Sequence, residues 1–490
     1  MIAVLLVIAV ASLAFVAGCE RRPVNPPLAR YEDAPTLQLE GLGMKRGDRD
    51  DLVILAFSGG GMRAAAFSYG VLETLRRIEI VTSAGRTRRL LDEVDLITGV
   101  SGGSFTALAY GLYGERLFDE YEARFLKRDV QGALVKRIFN PVNWPALLST
   151  GWGRSELAAN LYDEILFQGA TFADLARTSG PRIAVSATEL TTGSRVVFMP
   201  QNFDVMCADL STFRLARAAA ASSAVPVVLS PLTINNYGGT CGYHEPAWLR
   251  QFTDTARPPR PAGRILKRLQ ELRELDDAVH DPYFHLVDGG LADNLGLRGV
   301  LDYLETFEAL RAAGRPTPLD SVRRIIIFVV NSVSVPSTAW NRAQNPPGTL
   351  AILTKAAGVP IDRYASESVE LLKDIDARWA AQREIRDSVA FAKNKASRTA
   401  YANAPGADIF TIEVSFPALQ DKAERDFLNQ LPTSFVLPRE AVDRLRAAAA
   451  KIILESPDLR EVLKQAAPGV AGPRAATSRP VATQQTAAPR

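Results

Sequence analysis

Five apolar runs punctuate the chain: DLVILAF (Asp51–Phe57), EVDLITGV (Glu93–Val100), RIAVSATEL (Arg182–Leu190), RRIIIFVVNS (Arg323–Ser332) and DIFTIEVSF (Asp408–Phe416). Although DIFTIEVSF alternates from Phe410 onward, in most of them apolar residues occupy consecutive positions. This pattern predicts strands buried on both faces, as in a parallel sheet covered by helices. Between the runs the period changes to that of helices. One helix is predicted from Arg63 to about Arg77. Another runs from about Tyr364 to Lys395, with Leu372, Ile375 and Trp379 on one face. A third starts at Gly263, where Ile265, Leu269, Leu272 and Leu275 form a stripe and Lys267, Arg268 and Arg273 lie off it. That helix has two readings, a lid or membrane-surface helix and a surface helix packed on the core. The second is favoured because such stripes most often face a core. The fold class is α/β, in three α/β/α layers around a mainly parallel central sheet.

The two ends differ from the body. Met1 to Cys19 carries no charge, is too short to span a bilayer comfortably and ends in small residues. It reads as the apolar region and cleavage site of a secretory signal; a plain signal peptide and an N-terminal anchor helix are the alternatives. It resembles a bacterial lipoprotein signal with the lipobox Val16-Ala17-Gly18-Cys19. That resemblance implies removal of residues 1–18, lipidation of Cys19 and a periplasm-facing place on a membrane of the bacterial envelope. Glu20 then points to the outer rather than the inner membrane. Residues 19–50, rich in Pro, Arg and Asp, read as a tether. Residues 465–490, rich in Ala, Pro, Thr and Gln, are expected to be disordered because they have too little apolar surface to offset their ordering entropy.

Composition narrows the function classes. The 490 residues are 47% hydrophobic and 23% charged, with 57 basic and 54 acidic side chains and a net charge of +3. This balance gives no support to nucleic-acid binding, which needs a concentrated basic face. Beyond Cys19, Cys207 and Cys241 form either a disulfide or two separate buried thiols. No His, Cys and carboxylate cluster has zinc or EF-hand spacing.

Three motifs carry chemistry. In AFSGGGMRAAAF, Gly59, Gly60 and Gly61 follow a strand and open a helix. Their amides can converge on one point, where the helix N-terminus adds positive potential, so the loop suits an anion or an oxyanion. Arg63 sits one turn in, to brace the loop or to face the anion. In ITGVSGGSF, Gly99 and Gly103 flank Ser101 in the G-x-S-x-G form at a strand-to-helix junction, the setting of an exposed nucleophile. A chain of this length yields about 0.1–0.2 such matches by chance; the position of this one after the glycine loop adds specificity. A turn serine capping the next helix is the plainer reading of Ser101.

The third motif, PYFHLVDGGLADNLG, decides the base. The chain has three histidines, His244, His280 and His285. No histidine follows His285, whereas the α/β-hydrolase order places its histidine last, after the acid. For His285 to serve, the acid would come from Asp276, Asp277 or Asp281. Asp288 instead follows a short strand-like run and precedes Gly289 and Gly290, where the chain can turn the carboxylate to a sheet edge. We therefore read Asp288 as the proton acceptor and His285 as structural. A Ser-His-Asp esterase using His285 or His280, and a non-catalytic binding module, remain as alternatives.

In this order the motifs resemble those of the patatin-like phospholipase family: Gly59-Gly60-Gly61-Met62-Arg63 as oxyanion loop, Gly99 to Gly103 around the nucleophile Ser101, and Asp288-Gly289-Gly290 around the base. SATELTTGSRVVF (Ser186–Phe198) and ARAAAASSAVPVVLSPL (Ala216–Leu232) are similar to its inner strand and its Ser-x-x-x-Pro loop. The resemblance implies an acyl hydrolase domain over residues 51–335 that cleaves lipid esters through a Ser-Asp dyad and an acyl-serine, without a cofactor. A lipid anchor would raise the local concentration of such a substrate. Residues 336–464 carry no motif and are expected to form a helical and strand extension packed on the core. Phe139, Trp144 and Trp152 either touch a membrane interface or pack inside.

Overall fold

The structure is a computed structural model and describes residues 22–32, 51–81, 86–149, 152–226, 228–250, 252, 263–334, 340–388 and 403–466. The signal segment and Cys19 lie outside the described residues.

An eight-stranded sheet organises the chain, in the order β10-β9-β1-β4-β5-β8-β7, with β6 also on β5. The strands are β1 (Asp51–Phe57), β4 (Val94–Val100), β5 (Arg182–Glu189), β6 (Arg195–Phe198), β7 (Leu232–Asn235), β8 (Tyr283–Val287), β9 (Arg324–Asn331) and β10 (Asp408–Ser415), while β2 (Glu79–Val81) and β3 (Thr87–Arg89) pair apart as a hairpin. From β10 to β5 every pairing is parallel. Beyond β5 the pairings with β6 and β8, and of β8 with β7, are antiparallel.

The unbroken apolar runs divide between two cores, as strand alternation requires. Val53, Leu55 and Phe57 join one core, and Leu52, Ile54 and Ala56 the other. The first lies under α1 (Gly61–Leu75), α2 (Gly102–Tyr113), α4 (Leu215–Ser222) and α8 (Arg439–Glu455), and α3 (Val130–Phe139) borders it. The second lies under α5 (Gly263–Glu274), α6 (Arg298–Ala312) and α7 (Thr349–Asp387). The result is three layers. Each large side chain buried there contributes about 1.5–3 kcal/mol before entropy is counted.

The five strand predictions fall within a residue or two of the observed bounds. The stripe of α5 is buried at Ile265, Leu269 and Leu275, as on a helix packed against a core. Two expectations need correction. Residues 22–32 are not a free tether. Pro27 bridges Ala208, Leu28 donates to Cys207 O at 2.7 Å and Tyr31 to Cys241 O at 2.9 Å, and Asn25 is buried. This strap crosses the Cys207–Cys241 pair, which is bonded as a disulfide. Residues 340–388 and 403–466 pack on the core as helices and a strand, and they also complete the sheet. Strand β10 pairs with β9 along its whole length, α8 packs on α1, and Arg446 of α8 pairs with Glu73 of α1 at 2.8 Å. The boundary expected at 335 is therefore internal to the fold, because the sheet lacks an edge strand without the C-terminal part. Among the described residues no helix is long and apolar enough to cross a membrane.

Candidate active site

Strand β4 ends at Val100 and α2 starts at Gly102, so Ser101 occupies the turn between them, with φ 47° and ψ −119°. That conformation is costly for a residue with a Cβ, on the order of 1–3 kcal/mol, and the strain holds the side chain clear of the strand end. The turn closes only because of glycine. A Cβ on Gly102 would stand 2.0 Å from Gly61 O, so the glycine loop and the serine turn touch backbone to backbone. Gly99 and Gly103 sit on either side of this contact, at the end of β4 and the start of α2.

Asp288 arrives from the other direction, at the end of β8 and before the one-turn helix Gly290–Asp293. Ser101 Oγ donates to Asp288 Oδ2 at 2.8 Å. The second carboxylate oxygen, Oδ1, accepts the Gly290 N–H at 2.8 Å. Burial pushes the carboxyl up to about 6, although the bonds from Gly290 and Ser101 pull the other way. A base is useful when its pKa lies near the working pH, and this one is far better placed than a solvated aspartate near 3.9.

A third segment joins the two. Ser222, at the end of α4, accepts the backbone N–H of Ser101 on its Oγ at 2.8 Å. The Ser222 carbonyl accepts the Gly289 N–H and the Ala224 carbonyl accepts the Asp288 N–H, both at 3.0 Å. One short stretch thus fixes the nucleophile turn and the base turn together. Thr188 of β5 adds a further tie, donating its hydroxyl to Asp288 O at 2.8 Å and accepting the Ala292 N–H at 3.1 Å. Ser222 opens the Ser-x-x-x-Pro loop noted in the sequence, but its bond to the Ser101 N–H was not foreseen.

Two assignments to the oxyanion loop change. Gly59 donates its N–H to Asn294 O at 2.9 Å, so that amide is already committed. Arg63 faces away from the dyad. Its guanidinium donates to Ser332 O at 2.7 Å, Leu431 O at 2.7 Å and Thr433 Oγ1 at 3.1 Å. Burial lowers its pKa to about 10, with Asp362 opposing, so it stays charged at neutral pH. Arg63 is a brace between the loop and the C-terminal segment. The amides of Gly60 and Gly61, both at positive φ, remain without partners among the described residues.

None of the three histidines joins the dyad. His285 Nδ1 pairs with Thr233 Oγ1 at 2.9 Å across the β7–β8 ladder, and His280 Nδ1 with Asp277 at 2.7 Å, both on exposed side chains. His244 is exposed beside the Tyr31 ring, 5.4 Å between centroids. Of the three aromatics singled out, Phe139 is 71% and Trp144 46% exposed, while Trp152 packs against the first core. Among the described residues, no group of His, Cys, Asp and Glu is arranged to hold a metal ion.

Comparison with solved structures finds distant similarity. Human GIVD cytosolic phospholipase A2 aligns at 14% identity and a TM-score of 0.43, over 87% of this chain and 65% of that one, so the chain spans about two thirds of that relative's length. VipD from Legionella pneumophila aligns at 11% identity and a TM-score of 0.28, over 93% of this chain and 73% of that one. The ExoU–SpcU complex of Pseudomonas aeruginosa aligns at 16% identity and a TM-score of 0.19, over 92% of this chain and 95% of that one. No curated protein matches significantly. The model of the patatin-like phospholipase family matches residues 55–301, half of the chain and the stretch that holds the glycine loop, Ser101 and Asp288, and the chain belongs to that family.

Proposed function

We propose that the protein is a lipid acyl hydrolase that works through a Ser101–Asp288 dyad. The observation that carries this reading is the 2.8 Å bond from Ser101 Oγ to Asp288 Oδ2, in a turn touching the glycine loop. Ser101 Oγ attacks the ester carbonyl while Asp288 takes its proton. The carbonyl oxygen, now an oxyanion, is stabilised by the amides of Gly60 and Gly61, each contributing about 3 kcal/mol in comparable sites. Collapse of the tetrahedral adduct breaks the ester C–O bond, and Asp288 returns the proton to the leaving alkoxide. Water, deprotonated by Asp288, then attacks the acyl-serine and releases the fatty acid. The family membership supports a lipid ester as substrate. Exposed apolar side chains at Phe139, Val142 and Leu148 support work at a lipid surface.

The lipobox supports a second element of this reading: Cys19 carries a lipid that holds the protein on a membrane of the bacterial envelope. Mass spectrometry of the N-terminal peptide from envelope fractions tests it; an unmodified Cys19 in the mature protein would end it.

One panel tests the chemistry. Ester and phospholipid hydrolysis is measured for wild type, Ser101→Ala, Asp288→Asn, His244→Ala, His280→Ala and His285→Ala. Loss of at least about a thousandfold is expected for the first two variants, and changes within threefold of wild type for the three histidine variants. An active Asp288→Asn, or a folded but dead His285→Ala, defeats the dyad. Absence of hydrolysis by the wild type favours a binding module instead.

A further inference from the structure

The second core is not filled. Between the sheet and helices α5 and α6 lies a cavity of about 440 Å³, within the range of sites that enclose small molecules. Its wall is mainly apolar, with Leu96 of β4, Ala184 of β5, Val197 of β6, Leu269 of α5 and Val300 and Phe307 of α6 among the lining residues. It follows β5 from Arg182 to Ser186, a length on the order of 13 Å at strand rise. Neither Ser101 nor Asp288 lines it.

Three features define an occupant. First, most of the charges on the wall are neutralised internally. Arg195 sits between Asp293 at 3.2 Å and Asp302 at 2.6 Å, and Arg268 pairs with Glu271 at 3.1 Å while donating to Arg195 O. Arg182, at the exposed start of β5, also lines the wall and has no ion-pair partner among the described residues; a single cation suits one carboxylate better than a nucleotide's phosphates. Second, the hydroxyls of Thr98 and Ser186, both on lining residues, are buried and have no hydrogen-bond partner among the described residues. Such groups are uncommon in a settled interior. Third, an apolar void of this size forfeits dispersion contacts on all sides, which an unbranched hydrocarbon chain would restore.

We propose that this cavity is a second lipid site, which holds one long-chain fatty acid against β4, β5 and β6, behind the strand that leads into Ser101. The site adjoins the catalytic edge without opening on it. Thr98 precedes Ser101 on β4, and Asp293 and Gly296 of the wall continue the turn that begins at Asp288. It does not rest on the hydrolase reading, because the wall contains neither member of the dyad.

The test uses the full chain with Ser101→Ala and the fluorescent fatty acid cis-parinaric acid. Saturable binding near one per chain is expected, weakened at least tenfold by Ala184→Phe or Val300→Trp. In the wild type, prior reaction of Ser101 with a fluorophosphonate should leave that binding within twofold. A photoreactive diazirine palmitate provides a readout that needs no cavity variant, and its crosslinks should fall within residues 96–98, 182–204, 263–274 and 293–307. No saturable binding, blockage by the fluorophosphonate, or crosslinks confined to other segments would each overturn the proposal. A Ser101 that never reacts with the fluorophosphonate counts against the hydrolase alone; the Ser101→Ala titration and the crosslink map still decide the cavity.

Discussion

The stretch from 51 to 334 and the stretch from 340 to 466 contribute to the candidate active site in opposite ways. The first supplies the groups proposed for the chemistry: Ser101, Asp288 and the amides of the glycine loop. The second supplies mostly backbone. Leu431 O accepts Arg63 Nη1, Ser434 O accepts the Met62 N–H at 2.7 Å, and Thr433 adds one hydroxyl. The difference separates doing chemistry from holding it in place. A reacting group must have a particular side chain, so it leaves a motif. A carbonyl acceptor can come from nearly any residue, so it leaves none.

The comparison is broken most directly at Arg63, where the two stretches meet. Arg63→Met strips two buried carbonyls, Ser332 O and Leu431 O, and the exposed Thr433 hydroxyl of their donor, at a cost of about 1–3 kcal/mol for each buried acceptor left unpaired. A stability loss of several kcal/mol is expected by chemical denaturation, with hydrolysis falling together with the folded fraction. A variant of normal stability would show that the brace is dispensable.

The tie within the motif-bearing stretch is expected to act on rate. Ser222→Ala leaves the buried Ser101 N–H without its acceptor, about 1–3 kcal/mol, and tilts the nucleophile turn. We expect kcat to drop about tenfold with KM nearly unchanged, and Ser222→Thr to recover part of the loss. A change in KM alone would place Ser222 in substrate binding instead of positioning.

Asp288 links the chemistry to stability with a definite sign. Its folded pKa is near 6, raised by burial above the 3.8 of a free aspartate. Between these values the folded protein holds a proton that the unfolded chain has released, so stability falls as pH climbs from about 4 to about 6. Asp288→Asn removes the buried charge. It is expected to be inactive yet about 1–3 kcal/mol more stable than wild type at pH 8, with the gain gone below pH 4. In the wild type kcat/KM should rise with pH through an apparent pKa near 6, because the base must be ionised. A flat profile from pH 5 to 8 would contradict Asp288 as base.

The smallest effect belongs to Thr433→Val, which deletes one outlying bond of the brace. About 0.5–1.5 kcal/mol of stability and less than twofold of activity are expected. A larger kinetic effect would mean that the C-terminal stretch does more than hold.

What could be read beforehand follows the same division. Four of the five long strands were legible because a strand buried on both faces is written as a largely apolar run, and the edge strand β10 because its apolar residues alternate. Strands β6 and β7 were not, being four residues each and only half buried. Ser101 and Asp288 were legible because glycines mark the turns that carry them. The reassignment of Gly59 and Arg63 was not, since both depend on partners more than 200 residues away, Asn294 for one and Leu431 and Thr433 for the other. The docked strap escaped notice because its partners, Cys207, Asn235, Tyr237 and Cys241, lie far along the chain.

That strap has a consequence for orientation. Arg22 stacks over the Tyr283 ring at 5.4 Å and bonds Asn235. Strand β8 runs against β5, with Glu189 opposite Leu286, so Tyr283 projects about 10 Å past the end of β5, on the same edge of the sheet as Ser101. Only Glu20 and Arg21 separate Arg22 from Cys19, a leash of at most about 11 Å over three residue steps. With Cys19 lipidated as proposed, the enzyme could not roam on a long arm. Its catalytic edge would be kept facing the leaflet that anchors it, and it would draw esters from that leaflet in preference to any other.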